Sequence, residues 1–95
     1  SSDLGKSGEE KLLSNCYYNS LKVAMEHGIR TVAFPSISTG AFGYPAKLAA
    51  HTAVEAVQKF MDDHPSVIDE VVWVLFGQGV LRIYQHEVEM SQERD

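Results

Sequence analysis

Residues 35–45, Pro-Ser-Ile-Ser-Thr-Gly-Ala-Phe-Gly-Tyr-Pro, constrain the fold of this chain more than any other stretch. They follow a short apolar run, Thr31-Val32-Ala33-Phe34, and precede a long helical pattern that opens at Pro45. A strand that turns into a helix through two glycines three residues apart, Gly40 and Gly43, can bring its backbone close to a ligand. The helix behind it offers unpaired N–H groups and the positive end of its dipole. Successive amides converging on one concavity form a nest for an anion, most often a phosphate. The same glycines would also serve an ordinary strand-to-helix connection, and spacing alone does not separate the two readings.

The rest of the chain falls into order around that loop. Ser7-Gly8-Glu9-Glu10 has the form of a capping box. Behind it Leu13, Cys16, Tyr17, Leu21 and Ala24 recur at helical spacing, which predicts a helix stopped by Gly28. Cys16 falls on that apolar stripe without a histidine at nucleophile-like spacing, so it is expected in the core. The run 29–34 does not alternate, which suits a strand covered on both faces. After the loop, Pro45 is expected in the first turn of a second helix. Ala46, Ala49, Ala50, Ala53, Val57 and Phe60 line its packing face, and the Asp62-Asp63-His64-Pro65 segment ends it. Residues 71–76 read as a second strand, Leu81, Tyr84 and Val88 as a short third helix, and residues 91–95 as a fraying polar tail.

The fold class is therefore α/β, in the order helix, strand, helix, strand, helix. Two strands joined by a helix form a parallel βαβ unit. Both strands then end on one side, which brings the loop after Phe34 next to Phe76-Gly77-Gln78-Gly79. Ligands of open α/β sheets bind in the crevice at that edge. Phe76, at a strand end before a glycine, is expected to face the crevice, although a core place like that of Trp73 is the plainer alternative.

Composition narrows the function classes. With 8 basic and 13 acidic residues the net charge is −5, and the basic residues are scattered. That argues against a nucleic-acid backbone or an anionic membrane as partner. No apolar run approaches a membrane span. Cys16 is the single cysteine, which fits a reducing, cytoplasmic compartment. His27, His51, His64 and His86 share no ligand spacing, so no metal site is expected, and no pair of carboxylates is placed for acid–base work. The loop has no Gly-Lys-Ser/Thr of a P-loop and no leading glycine of a dinucleotide fingerprint. Ser38 is not a nucleophile elbow, because no glycine flanks it in that register. A diphosphate cradle remains.

Residues 34–45, Phe-Pro-Ser-Ile-Ser-Thr-Gly-Ala-Phe-Gly-Tyr-Pro, resemble the second ligand loop of macrodomains, which bind ADP-ribose, and are most similar to the MacroD-like hydrolase branch. The resemblance runs from Gly8 through Cys16-Tyr17 to Phe76 and departs at Ser36, usually alanine, and Ala41, usually isoleucine or valine. It implies a three-layer fold of which residues 1–95 supply the C-terminal half, with two parallel strands. It also implies that Ser38, Thr39, Gly40, Ala41, Phe42 and Gly43 wrap the diphosphate and distal ribose, with Phe42 over that ribose and Phe76 stacked on adenine. No metal or other cofactor is implied. The family's Asn-rich segment, first glycine-rich loop and adenine-facing acid have no counterpart here, so the catalytic residues are not assigned beyond a contribution from Gly40 and Phe42.

Three functions follow from the resemblance. An intact domain would remove ADP-ribose from acidic side chains or deacetylate O-acetyl-ADP-ribose. It could instead bind ADP-ribose or ADP-ribosylated protein without turnover. As an incomplete half, the chain would have no activity alone. Two parallel strands leave both sheet edges unpaired, so the missing N-terminal half, or an exchanged copy, is the expected partner.

Overall fold

The computed structural model describes residues 2–36 and 45–93. Five elements follow one another: α1 (Ser2–Glu26), β1 (Thr31–Pro35), α2 (Ala46–Asp63), β2 (Glu70–Val74) and α3 (Gln78–Glu93). The class is α/β, as the alternation of the chain predicts. The two strands pair in parallel, with Thr31 against Glu70, Phe34 against Trp73 and Pro35 against Val74.

The end of α1 shows how the chain is turned into the sheet. Gly28 takes a positive φ of 72°, the Gly28 amide donates to the Met25 carbonyl (3.1 Å), and the Ile29 amide donates to Ala24 (2.9 Å). These two bonds form a Schellman stop, for which glycine is suited because it has no Cβ to clash. Next to it, the Arg30 guanidinium forks onto Asp69 with two bonds of 2.9 Å and donates to the Ser66 carbonyl (2.7 Å). The Asp69 amide donates in return to the Arg30 carbonyl (2.7 Å). The amino-terminal ends of the two strands are thereby tied together.

Packing follows from the side-chain periods. α2 touches both α1 and α3, and all three share one core with the inward residues of the sheet. Tyr17, Leu21 and Ala24 of α1 meet Ala50, Ala53, Val54, Val57 and Phe60 of α2, and small alanines allow the helices to approach closely. An aromatic cluster seats the sheet on the helices. Tyr17 lies edge-on to Phe34 (4.9 Å between ring centroids), and Trp73 lies 5.6 Å from both Tyr17 and Phe34 and 5.2 Å from Tyr84. Such tilted and edge-to-face pairs suit the ring quadrupoles.

Several expectations are corrected. α1 starts at Ser2 and runs through Ser7-Gly8-Glu9-Glu10, so Ser7 is not its cap. Cys16 is exposed rather than buried, because the packed stripe runs through Tyr17, Leu21 and Ala24 and Cys16 lies about 100° round the helix from Tyr17. Pro45 is the N-cap of α2 in extended geometry, one residue before the helix. Ser91 does not fray: it belongs to α3, is 5% exposed, and its Oγ donates to Gln58 Oε1 at 3.4 Å. The sheet, finally, is covered on one face only among the described residues. Val32, Phe34, Val71 and Trp73 point to the helices, whereas Thr31, Ala33, Pro35, Glu70, Val72 and Val74 alternate outward and are exposed. One layer of helices covers one face of a pleated sheet, since successive side chains point to opposite faces.

Candidate functional site

Parallel pairing puts the carboxyl ends of both strands on one edge, where Pro35 meets Val74. From that edge β1 continues to Ser36, and α2 begins again after Pro45. β2 continues to Leu75, Phe76 and Gly77, and α3 begins at Gln78. The amino-terminal ends of two helices are thus brought to the same edge, each carrying the positive end of its dipole. Neither first turn holds an acidic residue. Pro45 makes no side-chain capping bond, and its carbonyl takes the Ala49 amide at 2.9 Å. The arrangement favours negative charge at this edge.

The expected ligand residues Ser38, Thr39, Gly40, Ala41, Phe42 and Gly43 lie outside the described residues; Ser36 and Pro45, which bracket them, lie at the edge in question. Phe76 lies there too, 82% exposed, so it is not a core residue of this chain and its ring is open to a flat partner. Gly77 follows with φ 103°, and an added Cβ there would meet no atom within 4 Å. Glycine is required by the backbone angle that turns β2 into α3, not by space.

His51, in the second turn of α2, is held by Glu87 of α3, with Nδ1 and Oε1 2.9 Å apart. Thirty-six positions separate the two, and the sequence carries no signal of this link. The Glu87 side chain is only 15% exposed. Among the described residues no group of three or more His, Cys, Asp and Glu side chains is placed to hold a metal ion, and no helix is long and apolar enough to cross a membrane.

The groups whose titration is shifted lie elsewhere. Hydrogen bonds from Arg30 hold the Asp69 carboxyl below its ordinary range, at the opposite end of the strands. Asp63 is lowered by hydrogen bonds from Tyr18 (2.7 Å) and Lys59 (3.0 Å), at the carboxyl end of α2. Burial pushes the Tyr84 hydroxyl up, against a hydrogen bond with Tyr17. These are structural ties between α1, α2, α3 and the strands. A groove of about 840 Å³ lined by Glu55, Gln58, Lys59, Asp62, Asp63 and Ser91 lies along α2 and α3 and is too acidic to suit an anion. The strand-end edge offers backbone amides, helix dipoles and an exposed aromatic ring, a set of groups that suits a nucleotide diphosphate.

Known proteins resemble this chain in sequence and in fold. The Macro domain family model matches residues 2–53. The Macro domain-containing protein CT2219 of Chlorobaculum tepidum is 47% identical over 81 residues, covering 85% of this chain and 46% of the relative. The O-acetyl-ADP-ribose deacetylase of Citrobacter koseri is 41% identical over 81 residues, covering 85% and 45%. Among solved structures, the Oceanobacillus iheyensis macrodomain with ADP superposes with a TM-score of 0.81 at 35% identity, over 90% of this chain and 44% of that one. The chain spans about half the length of these relatives. A family match over more than half of the residues, together with the shared arrangement of parallel strands and helices, shows that this chain belongs to the Macro domain family.

Proposed function

We propose that residues 1–95 form the C-terminal half of a single Macro domain and that the intact domain binds ADP-ribose at the strand-end edge. The observation that carries this reading is the meeting of two helix amino-terminal ends, free of acidic residues, beside exposed Phe76. Ser38, Thr39, Gly40, Ala41, Phe42 and Gly43, with the first-turn amides of α2, surround the diphosphate and distal ribose. Phe76 stacks on adenine. A relative named as an O-acetyl-ADP-ribose deacetylase and a related structure with ADP support this choice of ligand. The intact domain then removes ADP-ribose from acidic side chains or deacetylates O-acetyl-ADP-ribose, in a reducing compartment that suits a lone exposed thiol.

A second reading, binding without turnover, is favoured by the groups at the edge itself. Ser36, Pro45, Lys47, Phe76 and Gln78 include no carboxylate or imidazole, and His51 is engaged by Glu87. Gly40→Glu in the complete domain separates ligand binding from folding. A carboxylate placed against the diphosphate should abolish ADP-ribose binding in calorimetry while Tm hardly moves. Unchanged affinity in that variant removes the loop from the site. Release of ADP-ribose from a modified glutamate peptide decides between hydrolase and reader.

A further inference from the structure

Two helices begin at the candidate site, and the ring of Phe76 is attached to the second of them. Phe76 lies past Val74, the last residue of β2, and is joined to α3 through Gly77, whose φ is 103°. Its side chain is exposed, so backbone rather than packing carries it, and the place of α3 decides the place of the ring. The apolar face of α3 fixes that place only in part. A cleft of about 190 Å³ lies between Val54 and Val57 of α2, Val71 and Trp73 of β2, and Val88 of α3. Packed interiors hold few voids larger than a water molecule, so this one leaves α3 room to shift against α2. Polar side chains tie α3 back. Ser91 Oγ donates to Gln58 Oε1 at 3.4 Å, well down both helices. Nearer the site, His51 Nδ1 and Glu87 Oε1 are 2.9 Å apart. A carboxylate only accepts, so Nδ1 carries the proton and donates. Glu87 is mostly covered, and a covered carboxylate needs such a donor in place. By helix rise, His51 stands about 8 Å behind the first residue of α2, and Glu87 about 14 Å behind that of α3.

We infer that the His51–Glu87 bond is a positioning clasp, which holds α3 against α2 and so sets the span between the loop before α2 and the Phe76 ring before α3. The clasp selects ligands that occupy both ends at once, a nucleoside diphosphate carrying a second sugar, over fragments held at one end. Neither side chain has to touch the ligand. A site whose two ends are already fixed binds a spanning ligand without first having to be ordered, whereas a released α3 adds that ordering cost to binding. A ligand held at one end meets no such cost in either state. The inference rests on the ADP-ribose site proposed above and adds a positioning pair outside it, at residues 36 positions apart in the chain.

The test uses the complete domain. Nitroxide labels at Lys47→Cys and Arg82→Cys, both exposed positions, with every native cysteine replaced by serine, report the separation of the first turns of α2 and α3 without ligand. Glu87→Ala leaves a half-exposed imidazole that water can serve, so the helical circular dichroism should be kept. The distance distribution should broaden, and ADP-ribose should bind about fivefold more weakly in calorimetry of the unlabelled domain, the net effect of one hydrogen bond. Ribose 5-phosphate, held at the α2 end alone, should change by less than about twofold. Glu87→Gln, whose carbonyl still accepts from His51 Nδ1, should restore both the distance and the ADP-ribose affinity. A general loss of stability would weaken both ligands alike. Equal losses for the two ligands, unchanged ADP-ribose affinity in Glu87→Ala, an unbroadened distance distribution, or no rescue by Glu87→Gln would each overturn the inference and leave the ADP-ribose site standing. An unsubstituted domain that binds no ADP-ribose would overturn that site and the inference with it.

Discussion

Phe34 and Trp73 are register partners across the two parallel strands, with ring centroids 5.6 Å apart. Tyr17 of α1 closes on both rings, and Tyr84 of α3 closes on Trp73. This cluster does more than fill the core. A slip of one residue would turn every inward side chain outward, so four packed rings hold the register. The register in turn decides that Ser36 and Phe76 leave the sheet at the same edge. Core packing on one side of the strands thus sets the geometry of the candidate site at their ends.

Phe76→Ala in the complete domain should weaken ADP-ribose by roughly tenfold, since stacking of a base on an aromatic ring contributes about 1–3 kcal/mol. Ribose 5-phosphate, which lacks the base, should lose nothing. Phe76→Leu keeps apolar volume without the flat ring and should resemble the alanine variant. Calorimetry with both ligands checks this, and equal losses for the two would remove Phe76 from the adenine contact. Because the side chain is already exposed, Tm should hardly change.

Gly77→Ala should destabilise the domain by about 1–3 kcal/mol, the cost of holding a residue with a Cβ at an unfavourable backbone angle. The φ of 103° is the cause, because an added Cβ would meet nothing within 4 Å. Gly79→Ala, in helix α3 with equally open surroundings, should be neutral or slightly stabilising. Urea midpoints of the two variants, compared side by side, separate backbone angle from crowding.

Acid should weaken the ties between elements. Hydrogen bonds from Arg30 lower the folded pKa of Asp69, and hydrogen bonds from Tyr18 and Lys59 lower that of Asp63. A lowered carboxylate contributes stability that is fully present above its unfolded value, here the ordinary 3.8. That contribution is lost as pH falls through the folded value. Both pairs are solvent-exposed, so the effect should be small and should shrink further in high salt. Urea midpoints of the complete domain measured from about pH 5 down to about pH 2 should fall less steeply with Asp69→Asn than without it. ADP-ribose affinity at neutral pH should be the same in both, because Asp69 lies at the opposite end of the strands.

Residues 1–95 alone should neither form a stable monomer nor release ADP-ribose from a modified glutamate peptide. Among the described residues two strands leave both edges of the sheet unpaired, and one sheet face carries exposed valines. Ordering costs about 1–2 kcal/mol per residue, and a single helical layer on a narrow sheet offers limited burial to offset it. Mass in solution, amide exchange and product release are the measurements. A protected monomer that turns over the peptide would show this half to hold both fold and chemistry.

Much of the architecture is legible in local pattern. The helix–strand–helix–strand–helix order follows from period-3.6 stripes, apolar runs, Gly28 and the His64-Pro65 stop. The functional edge follows from topology, since strands joined by a helix run parallel and end together. The motif of residues 34–45 suggests a ligand class through its resemblance to a macrodomain loop, whereas its glycine spacing alone fits an ordinary strand-to-helix connection equally well.

Other features depend on partners far apart in sequence. Cys16 and Tyr17 are adjacent in one apolar stripe, yet only the direction from which α2 approaches decides that Tyr17 is buried and Cys16 exposed. Ser91 looks like a polar tail until Gln58, 33 positions earlier, is placed against it. The Arg30–Asp69 fork and the His51–Glu87 link join residues 39 and 36 positions apart, and charged residues at such separations carry no spacing signal. The apolar outward face of the sheet is the reverse case: Val72 and Val74 announce burial, whereas the described helices lie on the other side. Local period and backbone chemistry determined the elements, their order and the loop, because those depend on neighbours within a turn or a pleat. Tertiary structure alone decided which side of each element is covered, because burial is set by what packs against it.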